Sequence, residues 1–527
     1  MERKAIMDHS FRCHCCPGEG RDHSSHASKQ SGGLSRRAFL AGTALGGSVL
    51  TGLSWSSLVS AAPASVPMPH PRKPLLVKPI LSHDLPKPVP MRSWRSWGGI
   101  HTKEAAAEEV ARIEGELKKI RKEADYPVEF LPVSAVTNIQ TMKDHPDVKK
   151  ADVLIVYGAG HSINGVQDFG KDVIIFQRWK SGPVYLQYEI VSPRFLRQHT
   201  DRLALENITF EDVVTDDLSE VDWRLRSLCG LKNTRGTKIL AIGGAGAWAH
   251  PGDEIPSLVE KKWGFDIVPF SYDELGKLID QARGDRETVA LAKQRAEAYL
   301  QMPETMLETK REYVDNCFLL DQVFRAMMQK ADCQAITVLG CMGTIMPKAK
   351  TSACLTLSTL NDDGYLAFCE SDFVVIPSGV LMANITGRPV FLNDPTYPHD
   401  HIITLAHCTG PRKMDGKKSE PAKIVTHFES DFGAAPKVNM PKGTVVTNIL
   451  PDFEVKRWAG LRGEIVDHPF KPICRDQIDI RYDVPDQVVA ERMPGFHWMT
   501  GYGDSRKEIG YALRRVGITW DDLDAYA

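Results

Sequence analysis

The sequence predicts an α/β protein: two doubly wound α/β domains followed by a C-terminal antiparallel β-barrel-like domain. Three observations carry this reading. Short all-apolar runs that end in glycines alternate with helix-periodic stretches up to about residue 386, which is the pattern of parallel strands buried on both faces. Beyond that point the helical stretches give way to closely spaced β-prone runs. The chain of 527 residues is also long enough for two or three domains.

The elements follow in chain order. Ser35-Arg36-Arg37-Ala38-Phe39-Leu40 is a twin-arginine sequence, followed by a weakly apolar stretch and then by the small residues Ala61, Ala62 and Ala64. Residues 1–64 therefore read as an export signal region outside the fold, with cleavage shortly after Ala62 or Ala64 and a periplasmic destination. Gly42, Gly46, Gly47 and Gly52 interrupt the apolar run. A spanning helix needs about 20 predominantly apolar residues, so no stable membrane anchor is expected. Cys13, His14, Cys15 and Cys16 precede the signal and leave with it. Residues 65–91, rich in Pro and Lys, read as a linker.

The N-terminal α/β domain is expected over 92–232 and the second over 233–386. Residues 103–124 carry Ala107, Val110, Ile113, Leu117 and Ile120 at helical spacing. The strands expected at 152–157, 238–242 and 335–340 each run into glycines, and 284–330 is helical in pattern. Gly244-Ala245-Gly246 lacks the third glycine of a dinucleotide fingerprint and reads as a strand-to-loop turn, at the sheet end where open α/β sheets bind ligands. The β-rich domain, 387–527, holds strand-like runs at 390–392, 402–405, 423–428, 443–450, 453–458, 462–466 and 477–482.

Composition excludes some partners. With 65 basic and 67 acidic residues the formal charge is −2, which offers nothing for nucleic acid or an anionic membrane. Of the eleven cysteines, the eight after residue 16 show no Cys-x-x-Cys and sit mostly in apolar runs, as packed thiols do.

Three polar motifs interrupt the apolar pattern: Phe368-Cys369-Glu370-Ser371-Asp372, Asn393-Asp394 after a strand-like run, and Phe496-His497-Trp498. Glu370, Asp394 and His497 together read as the ligands of a divalent metal. Two carboxylates and an imidazole suit an oxygen-rich site for Mn²⁺, or another such cation as Mg²⁺, better than a zinc tetrahedron. Each residue also has a plainer reading: Glu370 as a helix cap, Asp394 before Pro395 as a turn residue, His407 as a buried hydrogen-bonded histidine. Asp372 is suited to order a ligand from behind. Trp498 and Tyr502 read either as sugar-stacking or as core aromatics. His399 and His401 read as solvent-exposed.

The stretch 351–410, with Cys369-Glu370-Ser371-Asp372, Thr386-Gly387-Arg388-Pro389-Val390-Phe391, Asn393-Asp394 and Leu405-Ala406-His407-Cys408, resembles the carboxyl-terminal part of the L-fucose and L-arabinose isomerase superfamily. Gly463-Glu464-Ile465-Val466, Cys474-Arg475-Asp476-Gln477 and His497 through Tyr502-Gly503-Asp504 continue the resemblance in order. It covers about 333–515. It implies two α/β domains ahead of a β-barrel, a homo-oligomer (trimer or hexamer) that completes the site, and a metal held by Glu370, Asp394 and His497. It also implies that Glu370 and Asp394 act as acid/base groups in aldose–ketose interconversion through an enediol, with His407, Trp498 and Tyr502 near a sugar substrate. Pro377 and Gly379 in the expected helix, and a polar insertion at 395–401, depart from the family pattern. A non-catalytic sugar-binding protein on the same fold, or an epimerase or lyase using the same enediolate, stays open beside the isomerase.

Overall fold

The computed structural model describes residues 52–58, 66–95, 98–159, 163, 165–185, 208–248, 250 and 252–527. The twin-arginine motif, the cysteines at 13–16 and the small residues at 61–64 lie outside them. No helix among the described residues is long and apolar enough to cross a membrane.

The chain divides into two compact units. One spans Arg72–Asn233 with Asn384–Gly387. Its parallel sheet is built from β1 (Leu75–His83), β2 (Val128–Phe130), β3 (Ser134–Val136), β4 (Val153–Ala159), β5 (Asp172–Gln177) and β6 (Val213–Thr215). The order is β2-β1-β4-β5-β6, with β3 also on β1. The helix Lys103–Glu123 starts where the Thr102 hydroxyl accepts from Ala105 N, and it buries Ile113, Leu117 and Ile120.

The linker expected over 65–91 is corrected here, because β1 lies inside it. Its Lys and Pro misled the reading for identifiable reasons. Lys78, 1 % exposed, is satisfied by the Pro132 carbonyl at 2.5 Å and by Asp147 at 3.1 Å. The Val77 carbonyl accepts from Leu131 N, so Pro79, two residues on, faces the same side. There β2 has ended and β3 has not begun, so the missing N–H costs no ladder bond.

The other unit comprises Thr234–Ala383 and Arg388–Ala527 with the described residues up to Pro71. Its α/β part is a parallel sheet of β7 (Lys238–Ile242), β8 (Asp266–Phe270), β10 (Ala335–Val338) and β11 (Leu366–Cys369), ordered β11-β10-β7-β8. The helical stretch expected at 284–330 resolves into the helices Arg286–Leu300 and Arg311–Ala331, with the short strand Thr305–Leu307 between them. A second correction falls on the region 1–64. Trp55, in the short helix Trp55–Leu58, is buried with its indole N–H on Thr288 Oγ1 at 3.1 Å. Its backbone N–H donates to Gln281 Oε1 at 2.6 Å. Part of the stretch assigned outside the fold thus packs into it, because a large indole finds an apolar seat with a polar partner for its N–H.

The β-rich part is a closed antiparallel barrel. Six strands, β12 (Phe391–Pro395), β13 (Ile402–His407), β16 (Val445–Pro451), β17 (Arg457–Asp467), β18 (Asp476–Arg481) and β19 (Trp498–Tyr502), follow one another as β16-β19-β12-β13-β18-β17 and close through β16–β17. Closure removes the free sheet edges. β20 (Thr519–Asp522) adds to β17, while β9 (Thr305–Leu307), β14 (Ala422–Val425) and β15 (Ala435–Val438) form a small separate sheet.

Two further expectations are corrected. The strand expected at 453–458 is mostly the turn of the β16–β17 hairpin, with Val455 at φ +55°. The insertion at 395–401 is a hairpin tip joining β12 to β13. Asp400 and His401 both take positive φ, and Ile402 N donates to the His399 carbonyl at 2.7 Å. Two consecutive left-handed residues are what a tight hairpin with the right twist needs. The helix after the glutamate, Ile376–Thr386, accepts Pro377 in its first turn, where no intrahelical N–H bond is lost. Gly379 lets that helix lie against the barrel, since a Cβ there would stand 2.6 Å from both Met499 Cε and Phe368 Cε1.

Candidate metal centre

Each site residue stands at the end of a strand. Glu370 follows β11 at the carboxyl edge of the parallel sheet, where open α/β sheets present ligand-binding loops. Glu370 and Ser371 both have left-handed backbone, φ +67° and +47°, a conformation that costs free energy for side chains other than glycine and that clusters at functional sites. Asp394 is the fourth residue of β12 and His407 the last of β13. His497 immediately precedes β19. Since Asn393 pairs with Trp498 in the β12–β19 register, one further step brings His497 opposite Asp394.

The four side chains converge. His497 Nε2 lies 3.1 Å from Glu370 Oε2 and 3.1 Å from Asp394 Oδ1, and His407 Nε2 lies 3.5 Å from Glu370 Oε1. Ligand atoms of Glu370, His407 and His497 all fall within 4.8 Å of one another. Glu370 Oε2, Asp394 Oδ1, His407 Nε2 and His497 Nε2 are buried and none makes a well-aligned hydrogen bond. Buried polar atoms left without a partner are costly, and here those of Glu370, His407 and His497 face one another, with Asp394 Oδ1 beside the His497 nitrogen. A cation among the first three, within reach of Asp394, would satisfy them, so the residues fit a divalent metal.

Asp372 fixes the orientation of His497. Its Oδ1 accepts from Val374 N at 3.0 Å and Trp248 N at 3.3 Å, while its Oδ2 lies 2.6 Å from His497 Nδ1. A carboxylate accepts, so Nδ1 carries a proton and the Nε2 lone pair of the neutral ring is turned toward the centre. The loop after β7 supports this carboxylate. Gly246 N donates to the Ser371 carbonyl at 3.2 Å, and Phe373 N to the Gly246 carbonyl at 3.0 Å.

The electrostatics fit a cation-binding cluster. Burial pushes the Glu370 carboxyl up, but the close imidazoles of His407 and His497 outweigh it and hold the group well below the usual carboxylate range. Asp394 moves the other way, because burial, reinforced by the Glu370 charge, exceeds the pull of the imidazoles. Two carboxylates share the same His497 nitrogen, and Glu370 also faces His407. Burial alone would lower His407, yet Glu370 and Asp394 push it up to about 10. His497 is likewise raised well above its ordinary value, against burial, by Asp394, Asp372 and Glu370.

A metal at Nε2 must displace those protons. Protons and metal compete for the same nitrogens, so affinity rises with pH while His407 and His497 remain protonated. The expected result is a Mn²⁺ dissociation constant that falls about tenfold per pH unit for each proton released, over roughly pH 6 to 9. Calorimetric titration in buffers of different ionisation enthalpy checks this, and affinity independent of pH contradicts it.

The sequence-predicted residues divide in their placement. Glu370, Asp394 and His497 come together, and His407 joins them as a potential ligand. Trp498 is fully buried in the hydrophobic core. Its replacement by Ala is expected to cost about 3–5 kcal/mol of stability, measured by denaturant unfolding. Tyr502, also buried, donates to Glu420 Oε1 at 3.0 Å. Burial, against the Tyr502 hydrogen bond, pushes Glu420 up to about 7.

Sequence reasoning missed an aromatic pair. Trp248 and Phe496 stack with centroids 4.2 Å apart and planes 9° apart, and both remain more than a third exposed. Phe496 also meets the His497 ring edge-on at 4.9 Å. The available signals were the glycine turn before Trp248 and the position of Phe496 beside His497. No protein-family model and no curated protein sequence matches the chain.

Proposed function

We propose that this chain is a metal-dependent sugar isomerase of the L-fucose and L-arabinose isomerase type, interconverting an aldose and a ketose through an enediol. The observation that supports the reading is the convergence of buried, unsatisfied ligand atoms from Glu370, His407 and His497, with the Asp394 carboxylate 3.1 Å from the His497 nitrogen. Two carboxylate oxygens and two imidazole nitrogens, with no sulfur at the centre, suit Mn²⁺, with Mg²⁺ less favoured by the two nitrogens. A bound divalent cation supplies Lewis-acid stabilisation of charge on the sugar oxygens.

The residues supply the rest. Isomerisation takes a proton from one carbon and returns it to its neighbour, which requires a carboxylate within reach of both. Glu370, after β11, and Asp394, in β12, stand either side of the His497 nitrogen as candidates for that role, the first carboxyl lowered and the second raised from its usual range. Asp372 holds His497 in place, and the stacked Trp248 and Phe496 offer an apolar face to a sugar ring beside the centre. Export through the twin-arginine route and assembly as a trimer or hexamer belong to the same proposal.

A panel of aldoses incubated with the protein and Mn²⁺ in D₂O tests the reading. The expected result is ketose carrying deuterium on the carbon that receives the proton, because a carboxylate exchanges its proton with solvent. Sugar binding without turnover would indicate a binding protein, a changed configuration without ketose an epimerase, and a cleaved product a lyase.

A further inference from the structure

Beside the carboxylate–imidazole centre lies a second cluster of different chemistry. Cys354, Cys408 and His427 are each buried, and their sulfur and nitrogen atoms all fall within 4.8 Å of one another. The Cys408 thiol also neighbours Cys369, whose sulfur falls outside that mutually close group. The four residues come from four places: Cys369 ends β11, Cys408 directly follows β13, His427 follows β14, and Cys354 opens the helix Cys354–Asp362. The helix N-terminus favours negative charge on the Cys354 sulfur. His427 Nδ1 lies 3.1 Å from Ser430 Oγ, the sort of outer contact that fixes the ring of a coordinating histidine. All eight cysteines of the described residues are buried free thiols, so no disulfide competes for these sulfurs.

We propose that Cys354, Cys408 and His427, whose ligand atoms already stand together, form a structural Zn²⁺ site, with the neighbouring Cys369 thiol turning in as the fourth ligand. Three sulfurs and an imidazole are a ligand set that zinc takes in closed tetrahedral sites, and soft thiolates discriminate against the hard cations suited to the first centre. Each coordinating thiol gives its proton to solvent, so the ion replaces weak S–H contacts with bonds to a buried cation. Its place in the fold gives the site a role. Cys369 is the chain neighbour of Glu370 and Cys408 of His407, so a zinc clamp ties together the two strand ends that carry those residues. The inference is independent of the proposed isomerase activity.

The test uses the full chain with Cys13, Cys15 and Cys16 replaced by Ser, which removes the other potential zinc ligands. Metal content after reduction, zinc loading and dialysis is measured beside Co²⁺ substitution, where thiolate coordination gives sulfur-to-cobalt charge-transfer absorption and a tetrahedral visible band. The expected result is one tightly held zinc per chain, the tetrahedral thiolate spectrum with cobalt, and loss of both in Cys354→Ser and His427→Gln. Glu370→Gln should keep the zinc, which separates this site from the first. Absence of stoichiometric zinc, a cobalt spectrum without thiolate bands, or a Cys354–Cys408 disulfide in the reduced-and-exchanged protein would each overturn the proposal. The cobalt spectrum is read on otherwise intact protein, so the test survives a variant that fails to fold.

Discussion

Glu370→Gln is expected to lower turnover by about 10²–10⁴-fold, with a smaller change in sugar binding. The amide keeps the shape and removes both the charge and the basicity. Glu370 lies between two imidazoles, and its Oε2 is one of the four atoms facing the centre. The lost interaction acts chiefly on the developing enediolate, so the loss falls on kcat more than on KM. Asp394→Asn should behave alike, since its Oδ1 shares the His497 nitrogen at 3.1 Å. Steady-state kinetics on the responsive sugar at saturating Mn²⁺ checks both. Near-native turnover in both variants would contradict the acid/base assignment while leaving the fold untouched.

Asp372→Asn should weaken Mn²⁺ binding about 10–100-fold. Asp372 does not face the metal; it orients His497 through Nδ1 and is itself held by Val374 N and Trp248 N. An amide at this position can present its NH₂ group to the ring, and the imidazole then loses the partner that keeps Nε2 turned to the centre. Because the defect lies in ligand orientation, excess Mn²⁺ should restore most of kcat in Asp372→Asn. In Glu370→Gln it should not. Asp372→Glu, which keeps the charge but displaces it, should bind Mn²⁺ with an affinity between those of the parent protein and Asp372→Asn. Equal and unrescued loss in Asp372→Asn and Glu370→Gln would assign Asp372 a different role.

Much of this arrangement was legible in the sequence. The two α/β layers and the barrel follow from strand length, terminal glycines and the loss of helical period near residue 386. Glu370, Asp394 and His497 stood out because each interrupts an apolar run. What the sequence hid was decided by tertiary partners. Lys78 and Pro79 look like linker residues until Asp147, the Pro132 carbonyl and the gap between β2 and β3 accommodate them. Asp400-His401 looks like an insertion until two positive φ values make it a hairpin tip. The barrel strand order sets Asp394, His407 and His497 side by side, and the loops after β7 and β11 of the parallel sheet bring Trp248 to Phe496 and Glu370 to His407; no local pattern states either arrangement. Trp498 carried a stacking reading and a core reading of equal chemistry, and only burial separates them.

The central claim is that Glu370, Asp394, His407 and His497 hold one divalent cation. Counting bound Mn²⁺ by electron paramagnetic resonance in the metal-stripped protein given one equivalent of zinc tests it most directly, since the soft thiolates take that equivalent first and leave the other centre to be read. The account predicts one Mn²⁺ per chain in the parent protein and none held tightly in the variant carrying Glu370→Gln with His497→Ala. One tightly held Mn²⁺ in that double variant, or none in the parent protein at any pH from about 6 to 9, would contradict it.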